Sequence, residues 1–299
     1  MMIGKIIPVF LILSIALMSL IATVHADEEV KITATPVTEQ IYQVTGKGGN
    51  IGLFIGDDGT FLIDDQFAPL TDQILATIKS VGGNTPKFLI NTHYHGDHTG
   101  GNENLGDRGT LIFSHDNVRQ SLSSGSFIAA FKMQRPPVSA KGLPVVTFSE
   151  DISFHLNGDT VHAIHAPHAH TDGDSFIHFK TANVIHAGDI FFNGFYPFID
   201  VQHGGSLKGM IVATDKILLL ADDQTKIIAG HGPVGDKQQP ASYREMLNTA
   251  YERLKALKEA GKSAEEAIAA KPLADLEAVW GDGMFKGERW IELVYPGVY

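Results

Sequence analysis

Residues 91–101 contain four side chains that bind metal ions well, and they limit the folds open to the chain more than any other feature. The segment reads Asn-Thr-His-Tyr-His-Gly-Asp-His-Thr-Gly-Gly and contains His93, His95, Asp97 and His98. It directly follows an apolar run at residues 87–90, which predicts a short buried strand. Residues two apart in extended backbone point to one side, and Gly96 allows a sharp turn, so all four side chains can face one pocket. We therefore expect a strand that ends at a metal site.

The ligand types in this segment favour zinc. Imidazole nitrogens and carboxylate oxygens are the borderline ligands found at zinc sites. The chain has 14 histidines and no cysteine, so any metal site must use nitrogen and oxygen ligands only. Without disulfides, the fold must be held by its core. A single histidine is usually an ordinary surface residue, but four ligand-type side chains after a buried strand indicate a metal site.

The first 26 residues are typical of a secretory signal peptide. Lys5 is followed by an apolar run at residues 6–22, then by Val24-His25-Ala26 and the acidic Asp27. This order predicts cleavage after Ala26 and export to the periplasm. An uncleaved membrane anchor is the alternative, because the apolar run approaches the length that spans a bilayer. The remaining residues, 27–299, are enough for one large domain.

The charge of the chain argues against nucleic acid as a partner. The formal net charge is −11, and it becomes −12 when Lys5 is removed with the signal peptide. A large negative charge repels phosphate backbones. We expect a small-molecule substrate, no nucleic acid and, after cleavage, no membrane, while the oligomeric state stays open.

Short apolar runs alternate with helical patterns along the whole chain. Strands are predicted at residues 41–44, 50–55, 60–63, 87–90, 145–148, 160–166, 175–179, 184–186 and 226–229. Helices are predicted at residues 70–81, 207–220, 243–260 and 265–270. This alternation favours an α/β layer architecture. Residues 125–143 are the least regular part, and their large apolar side chains suit a connector, a substrate lid or a dimer contact.

Three later segments place further ligand-type residues after predicted strands. They contain His168 and His170, then Asp189, then His231. The order His-x-His-x-Asp-His, His-Thr, Gly-Asp and Gly-His-Gly resembles the metallo-β-lactamase superfamily. The resemblance runs from about residue 40 to about residue 257 and covers most of the chain.

This resemblance implies an αββα sandwich of two pseudo-related halves, with two zinc ions at one edge of the sheets. One zinc would be held by His93, His95 and His170, and the other by Asp97, His98 and His231. Asp189 would bridge the two, together with a shared hydroxide that attacks the substrate, and Asp97 would also steer the attacking water. His170 is preferred to its neighbour His168 because Thr171 follows it, as in the family motif. Supporting roles fall to Asp64, which would orient a ligand histidine, and to Thr171 and His186.

The chemistry of such a centre is hydrolysis. Zinc lowers the pKa of its bound water to about 7, so hydroxide is present at neutral pH. A metal pair also polarises a carbonyl and stabilises the oxyanion that forms on attack. Since the nucleophile comes from solvent, no serine or cysteine nucleophile is needed.

The leading substrate class is a small cyclic or activated carbonyl compound, either a β-lactam or a lactone. Many β-lactamases of the family have a cysteine where Asp189 stands and a lysine three residues later, where this chain has Phe192. The aspartate is typical of the thioesterases and lactonases of the superfamily, and the turn at residues 46–50 is short for a substrate flap. Without that lysine, we expect uncharged lactones or esters to be turned over better than carboxylate-bearing β-lactams. The cations that could replace it are Lys47, Lys132 and Arg135.

Three other functions are compatible with the sequence. A thioesterase of the glyoxalase II type is the runner-up, although export argues against it. An iron-dependent dioxygenase on the same fold would bind a single iron through His93, His95 and His170. A non-catalytic periplasmic metal-binding protein would keep the ligands without hydrolysing anything, and the water-steering position of Asp97 argues against this reading.

Overall fold

Two β-sheets, of seven and five strands, form the centre of the structure, which is a computed structural model that describes residues 30–299. The predicted signal peptide, residues 1–26, lies outside the described residues. Residues Lys31–Tyr299 make one unit by their contacts. None of the helices in the described part has the length and hydropathy needed to cross a bilayer.

The strands in the described part of the chain are short, with three to seven residues each. They are β1 Thr33–Pro36, β2 Ile41–Thr45, β3 Ile51–Gly56, β4 Gly59–Ile63, β5 Phe88–Ile90, β6 Leu111–His115, β7 Ser126–Ile128, β8 Met133–Arg135, β9 Val146–Phe148, β10 Asp151–Leu156, β11 Asp159–His165, β12 Ser175–Phe179, β13 Val184–His186 and β14 Lys226–Ile228. The helices are α1 Thr71–Ser80, α2 Gly96–Thr99, α3 Asn102–Gly106, α4 Asp116–Ser124, α5 Leu207–Leu220, α6 Gln238–Glu259, α7 Ala264–Ala269, α8 Glu277–Trp280 and α9 Gly287–Val294.

Parallel pairing brings the ends of several strands to a common edge of each sheet. The first sheet has the order β1-β2-β3-β4-β5-β6-β9, and its strands from β4 to β9 pair in parallel. The second sheet has the order β10-β11-β12-β13-β14, and only its last pair is parallel. In that pair His186 lies opposite Ile228, so β13 and β14 end together. The loops that follow parallel strands therefore meet, as in open α/β sheets generally.

Aromatic side chains join the two sheets face to face. Phe54 and Phe179 meet edge to face with ring centroids 5.3 Å apart, and Phe61 and Phe154 do so at 5.0 Å. Such pairs contribute about 0.5–1.5 kcal/mol each beyond the apolar area that they bury. Helices α5, α6 and α9 cover the outer face of the second sheet, where Trp290 is fully buried. Helices α1, α3 and α4 contact the first sheet on its other side. The order of layers is helices, sheet, sheet, helices, which is the αββα sandwich expected from the sequence.

Most predicted elements are present, and the differences have local causes. The predicted segments 175–179, 184–186 and 207–220 agree residue for residue with β12, β13 and α5. Helix α6 begins five residues before the predicted start at 243, because a proline in the first turn of a helix removes no intrahelical hydrogen bond. The prediction of an irregular segment at residues 125–143 is partly wrong, since β7 and β8 form an antiparallel hairpin there.

Candidate metal centre

Seven side chains converge where the loops after β5, β11, β13 and β14 meet. They form two groups, and within each group one ligand atom per residue lies within 4.8 Å of the others. We call His93, His95, His170 and Asp189 the inner group, and Asp97, His98 and His231 the outer group. All seven are residues that the sequence motifs single out, and each group draws on both halves of the sandwich.

The ring nitrogens of the inner group face one another. His95 Nδ1 and His170 Nε2 are 2.8 Å apart. The Asp189 carboxylate lies beside them, with Oδ2 3.5 Å from His170 Nε2 and 3.7 Å from His93 Nε2. All four residues are buried, so their donor atoms converge on a point that bulk water does not fill.

The outer group is closed by the same aspartate. His98 Nε2 lies 3.4 Å from His231 Nε2, and Asp97 Oδ2 lies 3.3 Å from His231 Nε2. Asp189 Oδ1 is 3.1 Å from His98 Nε2, and Asp189 Oδ2 is 3.5 Å from His231 Nε2. Asp189 therefore contacts both groups and occupies a bridging position between them.

A protein acceptor fixes the far nitrogen of each of four rings. His95 Nε2 donates to Asp200 Oδ2 at 3.1 Å, and His170 Nδ1 donates to the Phe198 carbonyl at 2.7 Å. His98 Nδ1 donates to Asp64 Oδ2 at 2.7 Å. These bonds set the tautomers, so the other nitrogen of each ring keeps its lone pair and points into the centre, as metal-binding histidines require.

Thr92 completes the set of supports for the histidines. Its backbone N–H and its hydroxyl both donate to the Asp64 carboxylate, so the hydroxyl oxygen is left to accept from His93 Nδ1 at 3.0 Å. Asp64 is fully buried and has φ +62°, an unfavourable region for a residue other than glycine. The backbone strain at Asp64 is offset by the three hydrogen bonds that its carboxylate accepts, two from Thr92 and one from His98.

Two atoms of the centre have no hydrogen-bond partner among the described residues. They are His93 Nε2 and Asp189 Oδ1, and both are buried. His98 Nε2 approaches the latter closely, but without the geometry of a hydrogen bond. A buried polar group without a partner costs about 1–3 kcal/mol. A metal ion between the rings would satisfy both atoms, so the donor set fits bound metal.

The electrostatics of the centre also favour a cation. Burial raises the pKa of Asp189, but His98 and His231 outweigh it and hold that pKa well below its ordinary range. Burial lowers the pKa of His170 to about 4, so this ring is neutral and can act as a ligand. Burial also opposes a proton on His231, but Asp189 and Asp97 outweigh it and raise that pKa to about 9. His231 therefore holds a proton in the absence of metal, and the ionised carboxylates that retain this proton would attract a metal cation in its place.

The geometry of these groups agrees with the comparison of the sequence with known families. The sequence model of the metallo-beta-lactamase superfamily matches residues 44–232, well over half of the chain, and this stretch contains all seven side chains. The chain belongs to the metallo-β-lactamase superfamily. The family and the αββα fold expected from the sequence are thus confirmed, and the superfamily is one of metallo-hydrolases with a His/Asp centre.

Individual relatives are distant. A probable metallo-hydrolase of Bacillus subtilis, YqgX, is 24% identical over 168 residues, which cover 56% of this chain and 78% of the relative. A metallo-beta-lactamase from Pontibacter korlensis superposes with a TM-score of 0.59 at 18% identity, covering 73% of this chain and 99% of that one. The sec-alkylsulfatase Pisa1 from Pseudomonas sp. superposes with a TM-score of 0.65 at 16% identity, covering 90% of this chain and 51% of that one. At such identities the structural likenesses show the fold alone.

Three residues next to the ligand positions, His168, Thr171 and His186, form no hydrogen bond with the side chains of the centre. His168, the alternative to His170, is exposed and directs Nδ1 to the Gly204 carbonyl, away from both groups. Thr171 bonds through its N–H and hydroxyl to Asp174, so it fixes the turn after His170 without touching the centre. His186 is buried and bonds to the Asn50 carbonyl at 3.1 Å, joining the second sheet to the turn at residues 46–50.

Two supports of the centre were missed from the sequence. Asp200 accepts hydrogen bonds from His95, from His203 at 2.8 Å and from the Tyr94 hydroxyl at 2.6 Å. Thr92 lies inside the motif but has no ligand character. Asp200 is far from any motif and follows an irregular stretch, so only its pairing with a ligand histidine in space could identify it.

The turn at residues 46–50 is a part of the centre rather than a distant flap. A side chain at Gly49 would collide with the imidazole of His98, so only glycine lets the turn approach this closely. Asn50 donates to the carbonyls of Ala229 and Gly232, on either side of the loop that carries His231. The turn therefore packs against the outer group from one side and is hydrogen-bonded to the loop that carries His231.

A cavity of about 290 Å³ opens onto the centre and is lined by members of both groups. Its walls combine side chains of the centre with apolar side chains of the β7–β8 hairpin and of later loops. The lining residues are Phe67, His95, Gly96, Asp97, Ile128, Phe131, Met133, Arg135, Asp189, Phe192, Phe198, His231 and Met284. Of the three cations considered as a replacement for the missing lysine, Arg135 lines this cavity, and Lys47 and Lys132 do not.

Proposed function

We propose that this protein is a hydrolase that binds two zinc ions and opens a small cyclic or activated carbonyl compound, a lactam or a lactone. One observation carries the proposal: two groups of nitrogen and oxygen ligands share Asp189 at the floor of a largely apolar cavity. Hydrolysis adds one water molecule across the acyl–nitrogen or acyl–oxygen bond, and the cavity has the size of a small-molecule site.

The residues of the two groups would hold the metal ions. His93, His95 and His170 would bind one zinc, and the outer group would bind the other, with Asp189 shared between them. When bound, such a pair supplies a water of lowered pKa and a Lewis acid that polarises a carbonyl. The fixed tautomers of His95, His170 and His98 keep the ligand nitrogens available for that purpose.

Asp97 has the position of a catalytic carboxylate. It lines the cavity, so it faces both the outer group and any bound substrate. Burial raises its pKa, but His98 and His231 outweigh that effect and hold the pKa below its ordinary range. Asp97 is therefore ionised at neutral pH, and its carboxylate can accept a hydrogen bond from a water that enters the cavity and turn that water toward the substrate.

The apolar cavity walls favour a hydrophobic acyl or ring substituent on the substrate. Rings from Phe131, Phe192 and Phe198 face the space above Asp97 and His231. A thioester is the second candidate, because Asp189 stands where many β-lactamases of the superfamily have cysteine. Both classes present a carbonyl with a good leaving group, so a direct comparison of substrates is needed to separate them.

A metal assay and a substrate panel test the proposal together. Purified protein is expected to contain two zinc ions by elemental mass spectrometry and to hydrolyse a lactone or lactam faster than a matched thioester. Chelation should abolish hydrolysis, and added zinc should restore it. One metal per chain with full activity would contradict the two-zinc centre. Bound iron with oxygen consumption would favour the dioxygenase, and loaded protein that hydrolyses nothing in the panel would favour a non-catalytic role.

Export belongs to the same proposal and has its own test. When the full chain is produced in a Gram-negative host, we expect the protein in the periplasmic fraction with Asp27 as its first residue. Terminal sequencing of the purified protein measures this directly. A chain that keeps its first 26 residues and sediments with membranes would instead support the uncleaved anchor.

A further inference from the structure

We propose that Arg135 binds a carboxylate of the substrate beside the scissile bond, so that the preferred substrate is an acidic compound with an apolar body. This inference rests on the proposed function and names the substrate class of the same site. It reverses the expectation from the sequence that neutral lactones and esters are turned over better.

Arg135 differs from the other arginines in its lack of a partner. Four arginines pair with a carboxylate and a fifth donates to the Pro144 carbonyl; these five are Arg108, Arg244, Arg253, Arg289 and Arg119. Within residues 30–299, the Arg135 guanidinium has neither a carboxylate within 4 Å nor a hydrogen-bond acceptor. A guanidinium has five N–H donors in a fixed planar fork, so a half-buried one without acceptors has unused binding capacity.

The position of the guanidinium is set by Gly96. A side chain at residue 96 would occupy the space that the guanidinium fills, so the glycine between His95 and Asp97 leaves room for it. Gly96 begins α2 and its φ is not positive, so the glycine is needed here for space rather than for a left-handed backbone. The arginine therefore lies directly over the segment that carries the metal ligands, so an anion bound to it would share the cavity with Asp97 and His231.

Asp97 makes no ion pair with the Arg135 guanidinium. It lies near enough to act on the pKa of Arg135, which burial lowers and Asp97 partly restores. Its Oδ2 atom, however, points to His231 at 3.3 Å and makes no ion pair with the arginine. The fork is thus open to the cavity, where a carboxylate matches its geometry and can accept two parallel hydrogen bonds.

The rest of the cavity is suited to an apolar body. Phe131 and Met133 come from the same hairpin as Arg135, and Phe198 packs edge to face on Phe131 with ring centroids 5.0 Å apart. Phe131 and Met133 are each 41% exposed, although both are large and apolar. Exposed apolar side chains around a single cation form a site for an amphipathic acid, because burying them against a ligand is favourable.

Binding of an inert acid tests the site without any turnover. Zinc-loaded wild-type protein and Arg135→Gln are titrated calorimetrically with 3-phenylpropanoate and with 3-phenylpropanamide. We expect Arg135→Gln to weaken the acid about tenfold or more, the range for a lost charge-assisted contact, and to leave the amide unchanged. Arg135→Lys should recover part of the loss. The matched control is Lys132→Asn, which removes the same charge from the same hairpin outside the cavity and should change neither dissociation constant.

Kinetics separate this inference from the proposed function. The substrates are a phenyl-substituted γ-lactone with a ring carboxylate and the same lactone as its primary amide. Arg135→Gln should raise KM for the acid about tenfold with kcat nearly unchanged, and wild type should prefer the acid. Equal loss of kcat on both lactones, or unchanged binding of 3-phenylpropanoate, would overturn the role of Arg135. Failure to hydrolyse any compound would contradict the proposed function, while the titration would still decide the anion site.

Discussion

The inner and outer groups of the centre use similar ligands in different surroundings. Both groups contribute to the cavity wall, but every member of the inner group is buried, whereas Asp97 and His231 of the outer group are partly exposed. Two inner histidines are held by Asp200 and by the Phe198 carbonyl, both from one loop of the second half. The outer group instead depends on the turn at residues 46–50 and on Asp64, which bonds His98 directly and reaches the inner His93 only through Thr92. The inner group is thus fixed by packing, and the outer group is adapted to contact with substrate.

This difference implies unequal affinity for the two proposed zinc ions. Preformed and buried ligands lose little freedom when a metal binds, so the inner zinc should be the tighter one. The outer zinc has a more open position, where a substrate or water can also approach. The following predictions test the comparison, starting with the largest expected effect.

Removal of an inner ligand should have the largest effect. His170→Ala is expected to lower zinc content below one per chain and to reduce turnover by well over a hundredfold, because even supporting residues of metal ligands matter by about 10–100-fold. His168→Ala is the matched control, since His168 is exposed and directed away from the centre, and it should keep two zinc ions. Elemental analysis and initial rates measure both effects. Zinc loss in His168→Ala but not in His170→Ala would mean that the ligand is the other histidine.

Removal of the shared carboxylate should affect mainly the outer group. Asp189→Ala is expected to keep one zinc and to lower turnover by well over tenfold, because the three inner histidines remain while the link to His98 and His231 is lost. A titration with zinc, followed by elemental analysis, measures the stoichiometry. His231→Ala should also retain one zinc. If either variant lost both ions, the inner group would not be an independent site.

Much of the centre could be predicted from the sequence, because its ligands belong to short motifs with definite chemistry. His93, His95, Asp97 and His98 are adjacent in the chain, and His170, Asp189 and His231 each follow a predicted strand. Asp64 was singled out as well. Asp200 and Thr92 could not be found in this way, because their role depends on a contact in space and their residue types are common.

The fold shows the same division between local signals and long-range contacts. Long apolar patterns such as α5 were predicted correctly, and the αββα class followed from a family resemblance. Strand β10 was missed although Ile152, Phe154 and Leu156 alternate as in a half-buried strand. The β7–β8 hairpin could not be predicted, since its turn has no glycine and instead places Lys132 at φ +51°. With the hairpin unrecognised, Arg135 could not be assigned to the cavity.

A pair of variants should separate the supports of the two groups. Asp200→Asn removes the charge that holds His95, and Asp64→Asn removes the charge that holds His98, while asparagine tolerates the positive φ of residue 64. We expect the inner zinc to be weakened about tenfold in the first variant and the outer zinc about tenfold in the second. Competition with a chelator measures both affinities. Asp64 also reaches the inner His93 through Thr92, so a smaller loss at the inner zinc is expected in the second variant. If the same zinc were the more weakened one in both variants, the division into two groups would be contradicted.

The smallest expected effect concerns two histidines that belong to neither group, His115 and His165. Their rings stack with centroids 3.6 Å apart and planes 9° from parallel, where the end of β6 meets the end of β11. His115 Nδ1 accepts from the Asn117 N–H while Nε2 donates to the Ser149 carbonyl, so this ring is neutral in the fold. A proton on either ring would place a charge against its neighbour.

Acid should therefore weaken the fold through this pair even when zinc protects the ligand histidines. Burial, with a smaller contribution from His115, lowers the pKa of His165 to about 4, against an ordinary 6.5. As the pH falls, His165 is protonated in the unfolded chain before it is protonated in the fold. The contribution of the neutral ring to stability is therefore complete above pH 6.5 and is lost as the pH falls toward 4. His165 is only half buried, and solvent screening limits the effect to about 1 kcal/mol or less. Urea unfolding of zinc-saturated protein at pH 7.5 and pH 5 should show a smaller acid loss in His165→Asn than in wild type or in the exposed control His155→Asn. Equal losses in all three proteins would show that the stacked pair does not sense pH.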